Sequence, residues 1–309
     1  MNLLGKVVIV TGASSGIGAK TAEFFCREGA NVTLVARNKT KLKKTSEKCG
    51  AVGGKHIVIV GDVAKDEDTK RIIDNTIKEF GKLDVLVNNA AVGSYGNILD
   101  GTFMKSYDSS VDINLRAVLQ LTCLAAPYLV KTKGNIVNIS SIAGITAPKS
   151  TVGAYGLLKA ALIHFSKIAA GELASSGIRV NTISPGPVYT DIIENSGGSF
   201  TFDNLRHATL LNRISEPDEI ADLILYLASD KAKGITGSNF VVDNGSLLKR
   251  DLRWDLQGEW KGKPLPKIGW IRGMEEHVEK EAKDSQIPAQ TYRKPLEFFT
   301  KFGNMVILP

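Results

Sequence analysis

Within "AYGLLKAALIHF" (residues 154–165) a tyrosine and a lysine stand four positions apart among alanine, leucine and isoleucine. The periodicity reads as a helix, and residues i and i+4 share a helix face, so Tyr155 and Lys159 point their polar ends the same way. A free phenol ionises near pH 10 and is a poor proton shuttle at neutral pH unless a neighbouring cation stabilises the phenolate. Lys159 lies one turn along and is such a cation. The pair therefore suits proton transfer to and from an oxygen atom.

A second constellation is "TGASSGIG" (11–18), which follows an apolar β-branched run directly and opens a helix. Gly12, Gly16 and Gly18 permit a tight turn and close backbone approach, so that N–H groups at the helix start can face a pyrophosphate. The strand before it, the helix after it and the next strand complete the βαβ context the pattern requires. The end of that next strand separates the two nicotinamide cofactors. A carboxylate there accepts ribose hydroxyls, whereas a 2′-phosphate needs a cation. The chain has Ala36 and then Arg37, followed by Lys39 and Lys41, which also read as solvated residues. NADP(H) is therefore expected over NAD(H).

Both constellations need a scaffold to position them. "KVVIVT" (6–11), "NVTLVA" (31–36), "HIVIV" (56–60), "LDVLVN" (83–88), "NIVNIS" (135–140), "IRVNTIS" (178–184) and "NFVVD" (239–243) form seven candidate strands with helical stretches between them. They are apolar on both faces, as strands of a parallel sheet covered on each side should be. The alternation predicts an α/β fold, a doubly wound parallel sheet flanked by helices on both faces. "EPDEIADLILYLASD" (216–230) reads as one such helix, with acidic residues at its start.

The whole chain has 309 residues, 43% hydrophobic and 23% charged, the composition of an ordinary globular protein. No unbroken apolar run reaches the roughly 18 residues of a membrane helix, so no membrane span is expected. The net charge of +7 is spread among acidic residues, which reads as a mixed solvated surface rather than a nucleic-acid footprint. Cys26, Cys49 and Cys123 are odd in number, far apart in the sequence and free of a CxxC pattern. That usage, with a first strand beginning by about Lys6, points to a reducing, cytoplasmic setting. His56, His164, His207 and His277 fit no ligand spacing, and no metal site is indicated.

After Leu248 the character changes: charge, glycine and proline alternate without period, and all three tryptophans (Trp254, Trp260, Trp270) fall here. A catalytic domain over residues 1–247 and a packed extension over 248–309 are expected.

"TGASSGIG", "NNA" (88–90), a serine ahead of Tyr155, and Tyr155-x-x-x-Lys159, in this order, make the chain resemble the short-chain dehydrogenase/reductases from about residue 4 to 247. The resemblance implies a single Rossmann-type domain, a nicotinamide cofactor and reversible hydride transfer between alcohol and carbonyl. It places Gly12, Ser14, Gly16, Ile17 and Gly18 at the pyrophosphate, Arg37 at the 2′-phosphate, and Asp62 and Val63 at the adenine. Asn89 and Ala90 lie along the ribose, with Tyr155 and Lys159 also in contact with cofactor, and Pro185, Gly186, Val188 and Thr190 at the nicotinamide amide. The implied catalytic set is Asn114, Ser141, Tyr155 and Lys159. Tyr155 would exchange the proton, Ser141 would hydrogen-bond the same oxygen, and Asn114 would hold a water connecting Lys159 to solvent. Ser141 fits the family's spacing better than Ser140.

Departures are visible too. "YGLLK" puts Leu158 where a small polar neighbour of the ribose is usual, "NNAG" has become "NNAA", and the terminal "DGG" has become "DNG" at 243–245. The spacing from Ser141 to Tyr155 is one residue long, so "ITAPKSTVG" is expected to bulge. In the family the segment here spanning 189–214 covers the substrate. Gly197 and Gly198 read as its hinge, and Ile192, Ile193, Phe200 and Phe202 as an apolar lining for a lipophilic carbonyl such as a steroid or terpenoid, or a 3-oxoacyl thioester. A homo-oligomer, tetramer or dimer, built on the helices of "DINLRAVLQLTCLAAPYLV" and "AYGLLKAALIHFSKIAAGEL" is the family's usual assembly. The alternative is a catalytically silent nucleotide-binding scaffold of the same fold.

Overall fold

Seven short β-branched runs become seven parallel strands: β1 (Val7–Thr11), β2 (Asn31–Ala36), β3 (His56–Val60), β4 (Val85–Asn88), β5 (Asn135–Ile139), β6 (Arg179–Pro185) and β7 (Asn239–Val242), in the order β3-β2-β1-β4-β5-β6-β7. The computed structural model describes residues 3–146, 153–194 and 202–251. The helices are α1 (Gly16–Arg27), α2 (Lys39–Ala51), α3 (Asp66–Phe80), α4 (Phe103–Asp108), α5 (Ala117–Thr132), α6 (Gly153–Leu173), α7 (Asp191–Glu194), α8 (Phe202–Arg206), α9 (Pro217–Ala228) and α10 (Ser246–Asp251). A π-type turn, Asp112–Arg116, leads into α5.

The strands are rich in apolar residues because the faces of the sheet are covered. Val8, Val10, Val32 and Leu34 pack with Phe25 of α1, Leu42 of α2 and Ile224 of α9. Their neighbours Val7, Ile9 and Val35 pack on the other face with Ile72 of α3, Leu121 and Leu129 of α5 and Ala169 of α6. The pleat's period of two sends alternate residues into two separate cores. Edge strand β3 departs from this pattern: Val58 and Val60 are half-exposed. α9 starts with Pro217 in its first turn, and the Glu219 carboxylate accepts the Glu216 N–H at 2.8 Å, closing an orphan donor.

The segment Asp112–Thr132 is long and apolar enough by composition to cross a bilayer, with mean hydropathy 1.4. Its Leu121, Ala125 and Leu129 are fully buried against the sheet, and Arg116 pairs bidentately with Asp66 of α3 at 2.6 and 2.8 Å. It is a core helix of the α/β layer.

Two long-range details add to the sequence reading. Cys26 and Cys49, 23 positions apart in the chain, meet where α1 and α2 lie side by side and share a hydrogen bond. The Cys49 thiol, and then burial, push the Cys26 thiol up and keep it neutral. Asn244, in "DNG", takes φ +53, a left-handed conformation that asparagine tolerates better than most side chains. It donates to Ser215 Oγ at 2.9 Å and accepts the Leu210 N–H at 3.0 Å, fixing the end of the segment after β6.

The helix α10 runs across the boundary expected at 247/248. The rest of the extension with its tryptophans, His277, residues 147–152 of the expected bulge, and Gly197, Gly198 and Phe200, with the Ile193 side chain, lie outside the described residues.

Candidate active site

The order of strands reverses direction at β1: the chain steps outward to β2 and β3, then returns to β4 on the other side of β1. Loops leaving β1 and β4 must therefore diverge, and a cleft opens at the carboxyl ends of the strands. That cleft holds about 690 Å³. Gly12, Ser14, Gly16 and Ile17 line it from the loop after β1, Arg37 from the end of β2, and Asp62 and Val63 from the end of β3. Asn89 and Ala90 line it after β4, Ser141 after β5, Tyr155 and Lys159 from α6, and Pro185, Gly186, Val188 and Thr190 after β6.

The glycine loop is shaped for an anion. Gly12 sits at φ +68, and a Cβ on it would stand 2.7 Å from Asn89 Nδ2. Helix α1 has Ser15 at its N-cap without a side-chain cap bond and no acidic residue in its first turn, so its leading N–H groups are not spent on a side chain of the cap. An uncapped helix start over a close-fitting glycine turn matches a pyrophosphate. The residues present thus fit a dinucleotide.

Gly18 does not line the cleft. A Cβ there would stand 2.3 Å from the Gly12 carbonyl oxygen and 2.4 Å from Asn89 Nδ2, so this glycine lets α1 close onto the loop behind the phosphate wall. Thr11, which the sequence reading passed over, is the hinge of the arrangement. Its hydroxyl accepts the N–H groups of Asn89 (3.0 Å) and Ala90 (3.1 Å) and donates to the Val87 carbonyl at 3.2 Å. This side chain, with the Asn89 amide donating to the Thr11 carbonyl at 2.9 Å, ties the loops after β1 and β4 together. The signal was present: the last residue of a strand, hydroxylated, immediately before the glycine.

At the other end, Ser141 caps a short 3-10 turn, Ile142–Gly144, accepting the Ala143 N–H at 3.1 Å. Its hydroxyl also hydrogen-bonds the Tyr155 phenol. Ser140, the competing serine, spends its hydroxyl on the Lys159 carbonyl at 2.8 Å and holds α6 against β5. Lys159 is 2% exposed and its ammonium donates to the Ile139 carbonyl at 2.8 Å, 5.7 Å from the centre of the Tyr155 ring.

The electrostatics differ from the simple expectation. With protein groups alone, burial pushes the Tyr155 phenol up to about 12, the Ser141 hydrogen bond pulls it down, and Tyr95 pushes it up further. Burial pushes Lys159 down to about 8. Desolvation is the largest cause at both groups, because both leave water together. Tyr95, on the loop after β4, was not singled out in the sequence. It carries no periodic or motif signal and enters the cleft through the fold.

The Asn114 side chain is committed to the loop after β4. The side chain is fully buried and absent from the cleft lining. Its Oδ1 accepts the Val92 N–H and its Nδ2 donates to the Val92 carbonyl, both at 2.9 Å. Its amide is thus engaged in anchoring the loop that carries Ala90 to Tyr95, a positioning duty. Leu158 is 1% exposed and does not line the cleft. The "YGLLK" departure leaves the cleft wall untouched. Of the expected apolar lining, Ile192 faces the cleft, while Phe202 packs on Tyr189 with ring centres 5.0 Å apart.

The family description Enoyl-(Acyl carrier protein) reductase matches residues 12–246. The chain belongs to the short-chain dehydrogenase/reductase family. It is similar to an uncharacterized oxidoreductase of Thermotoga maritima, 36% identical with 80% of this chain and 99% of that one covered. The 3-oxoacyl-[acyl-carrier-protein] reductase FabG of the same organism is 33% identical, with 80% of this short-chain dehydrogenase/reductase and all of FabG (100%) covered. Among solved structures, a short-chain dehydrogenase/reductase from Caenorhabditis elegans, determined with cofactor, is 34% identical with a TM-score of 0.75, covering 80% of this chain and 97% of that one. The protein is thus an oxidoreductase of this family with a seven-stranded Rossmann-type sheet.

Proposed function

We propose that the protein is an NADP(H)-dependent oxidoreductase interconverting a carbonyl and a secondary alcohol. One observation carries the reading: the hydrogen-bonded hydroxyls of Ser141 and Tyr155, with buried Lys159 behind them, occupy the same cleft as the glycine loop and Arg37. The glycine loop and the α1 N-terminus would hold the pyrophosphate, Arg37 the 2′-phosphate, Asp62 and Val63 the adenine, Asn89 and Ala90 the ribose, and Pro185, Gly186, Val188 and Thr190 the nicotinamide amide. When bound, the cofactor supplies or accepts the hydride at the carbonyl carbon. Tyr155 gives its phenolic proton to the carbonyl oxygen in reduction and takes it back from the alcohol in oxidation. Ser141 hydrogen-bonds that oxygen, and Lys159 keeps the tyrosine's charge change affordable in a site poor in water. Asn114 holds the loop after β4 in place through Val92.

Ile192 gives the substrate end an apolar contact, which supports a lipophilic carbonyl, and the likeness to a 3-oxoacyl-[acyl-carrier-protein] reductase supports a 3-oxoacyl one. Half-exposed Leu157 and Ile168 on α6 and Val130 on α5 support assembly into a tetramer or dimer through these helices. Two buried, unbridged thiols in contact, Cys26 and Cys49, support a reducing, cytoplasmic setting. The test is oxidation of NADPH against a panel of lipophilic ketones and 3-oxoacyl thioesters, with Tyr155→Phe as control. Turnover that vanishes in the variant is expected; cofactor binding with no turnover by wild type on any of them would sink the enzymatic reading in favour of a binding protein.

A further inference from the structure

At the adenosine end of the cleft two cations stand four residues apart, and each is held by a carboxylate from another wall. Arg37 lies 3.7 Å from the Asp62 carboxylate at the end of β3. Lys41, in the first turn of α2, is ion-paired with Asp191, the first residue of α7. Asn38 Oδ1 accepts the Lys41 N–H at 2.9 Å and fixes where that side chain leaves the backbone. Asp191 adjoins Thr190, whose methyl lies against the glycine loop: a Cβ on Gly16 would come within 2.7 Å of it. Arg37, Lys41, Asp191 and Ile192 all line the one cleft. The Lys41–Asp191 pair therefore reaches from the adenosine wall to the segment that borders the substrate end.

This pair is open to exchange. Its side chains are 47% and 33% exposed, so it is screened by water and weak. A phosphate monoester brings a charge of roughly −1.5 to −2 and three strong acceptor oxygens, against the single charge of a carboxylate. The start of α2, with no acidic residue in its first turn, adds the positive end of a helix dipole on the same side.

We propose that Lys41 is the second cation of the adenosine 2′-phosphate site and that the phosphate takes it from Asp191, so that filling the adenosine end frees the Asp191 carboxylate at the start of α7. This inference rests on the NADP(H) reading. Asp191 then acts as a built-in competitor of the 2′-phosphate: it holds Lys41 when the ligand lacks that group and gives it up when the group is present. A ligand without the 2′-phosphate leaves the strap between the two walls in place.

The deciding experiment is calorimetric titration with adenosine 2′,5′-bisphosphate and with ADP, neither of which carries nicotinamide, on the wild type, Lys41→Gln, Asp191→Asn and the double variant. Lys41→Gln is expected to weaken bisphosphate binding about tenfold, about 1.4 kcal/mol, while ADP stays within about twofold. Asp191→Asn is expected to tighten the bisphosphate roughly threefold and to leave ADP unchanged, an effect that disappears once Lys41 is replaced. If Asp191→Asn leaves bisphosphate affinity unchanged or weakens it, the exchange is wrong. Equal weakening of both ligands by Lys41→Gln overturns it as well, since a bystander cation would not discriminate the 2′-phosphate. A wild type that binds ADP as tightly as the bisphosphate defeats the NADP(H) reading itself, a separate result visible before any variant is made.

Discussion

The two ends of the cleft solve opposite problems with similar residues. At the catalytic corner, Tyr155 and Lys159 are taken out of water, and the lysine's contacts are backbone: its ammonium donates to the Ile139 carbonyl while its own carbonyl receives the Ser140 hydroxyl. At the adenosine end, Arg37 and Lys41 stay about half-exposed and pair with side-chain carboxylates. Burial makes a charge costly and shifts the pH at which it titrates, which suits a group that must change protonation. Exposure makes a charge cheap and exchangeable, which suits a group that must trade one anion for another. If this contrast is right, substitutions at the first end should change rate and pH response, and substitutions at the second should change ligand preference.

The largest effect belongs to Tyr155→Phe. Removing the phenolic proton while keeping the ring should lower single-turnover reduction by about 10²–10⁴-fold with NADPH affinity within about twofold. Retained turnover would break the contrast at its strongest point.

Next is the pH dependence of stability of the nucleotide-free protein. Lys159 is held near 8 in the fold against 10.5 ordinarily, so between those values the unfolded chain binds more protons and stability rises with pH. Tyr155 is raised to about 12 from 10, so above pH 10 the unfolded chain releases its proton first and stability falls. Urea unfolding should therefore show a gain on the order of 2 kcal/mol from pH 8 to 10, followed by a decline. Lys159→Met should abolish the rise. An unchanged profile in the variant would show that Lys159 is not desolvated as described.

The sequence made one side of this contrast more legible than the other. The strands were readable nearly to the residue, β2 and β3 over their whole lengths, because runs of β-branched apolar residues leave a local signature. Tyr155, Lys159 and the glycine loop were readable because fixed spacings on one helix or turn bring their groups together. What escaped depended on register between distant segments. Asn114 turns its amide onto Val92, Leu158 is buried away from the cleft, and Cys26 meets Cys49 because α1 packs beside α2. The Lys41–Asp191 pair joins positions 150 apart, and neither residue type nor spacing could announce it.

Arg37→Ala sharpens the second half of the comparison. The preference for NADPH over NADH, followed by nicotinamide fluorescence, should fall about tenfold, about 1.4 kcal/mol, with the single-turnover rate at saturating cofactor little changed. A rate loss with the preference intact would mean that Arg37 shapes the cleft rather than reading the phosphate.

The smallest effect separates the two ends by ionic strength alone. Between 0.1 M and 1 M salt the screening length falls from about 10 Å to about 3 Å. Arg37 is 58% exposed, and the span to its Asp62 partner is 3.7 Å, so solvent ions reach this end of the cleft and compete for its cations. Lys159, 2% exposed, is sealed from them. NADPH affinity should fall several-fold over that range, NADH affinity less, and the single-turnover rate at saturating cofactor should change by less than about twofold. Equal salt sensitivity of binding and rate would mean that solvent reaches the Tyr155–Lys159 corner as freely as it reaches Arg37, and the division of labour between a dry end and a wet end would have to be abandoned.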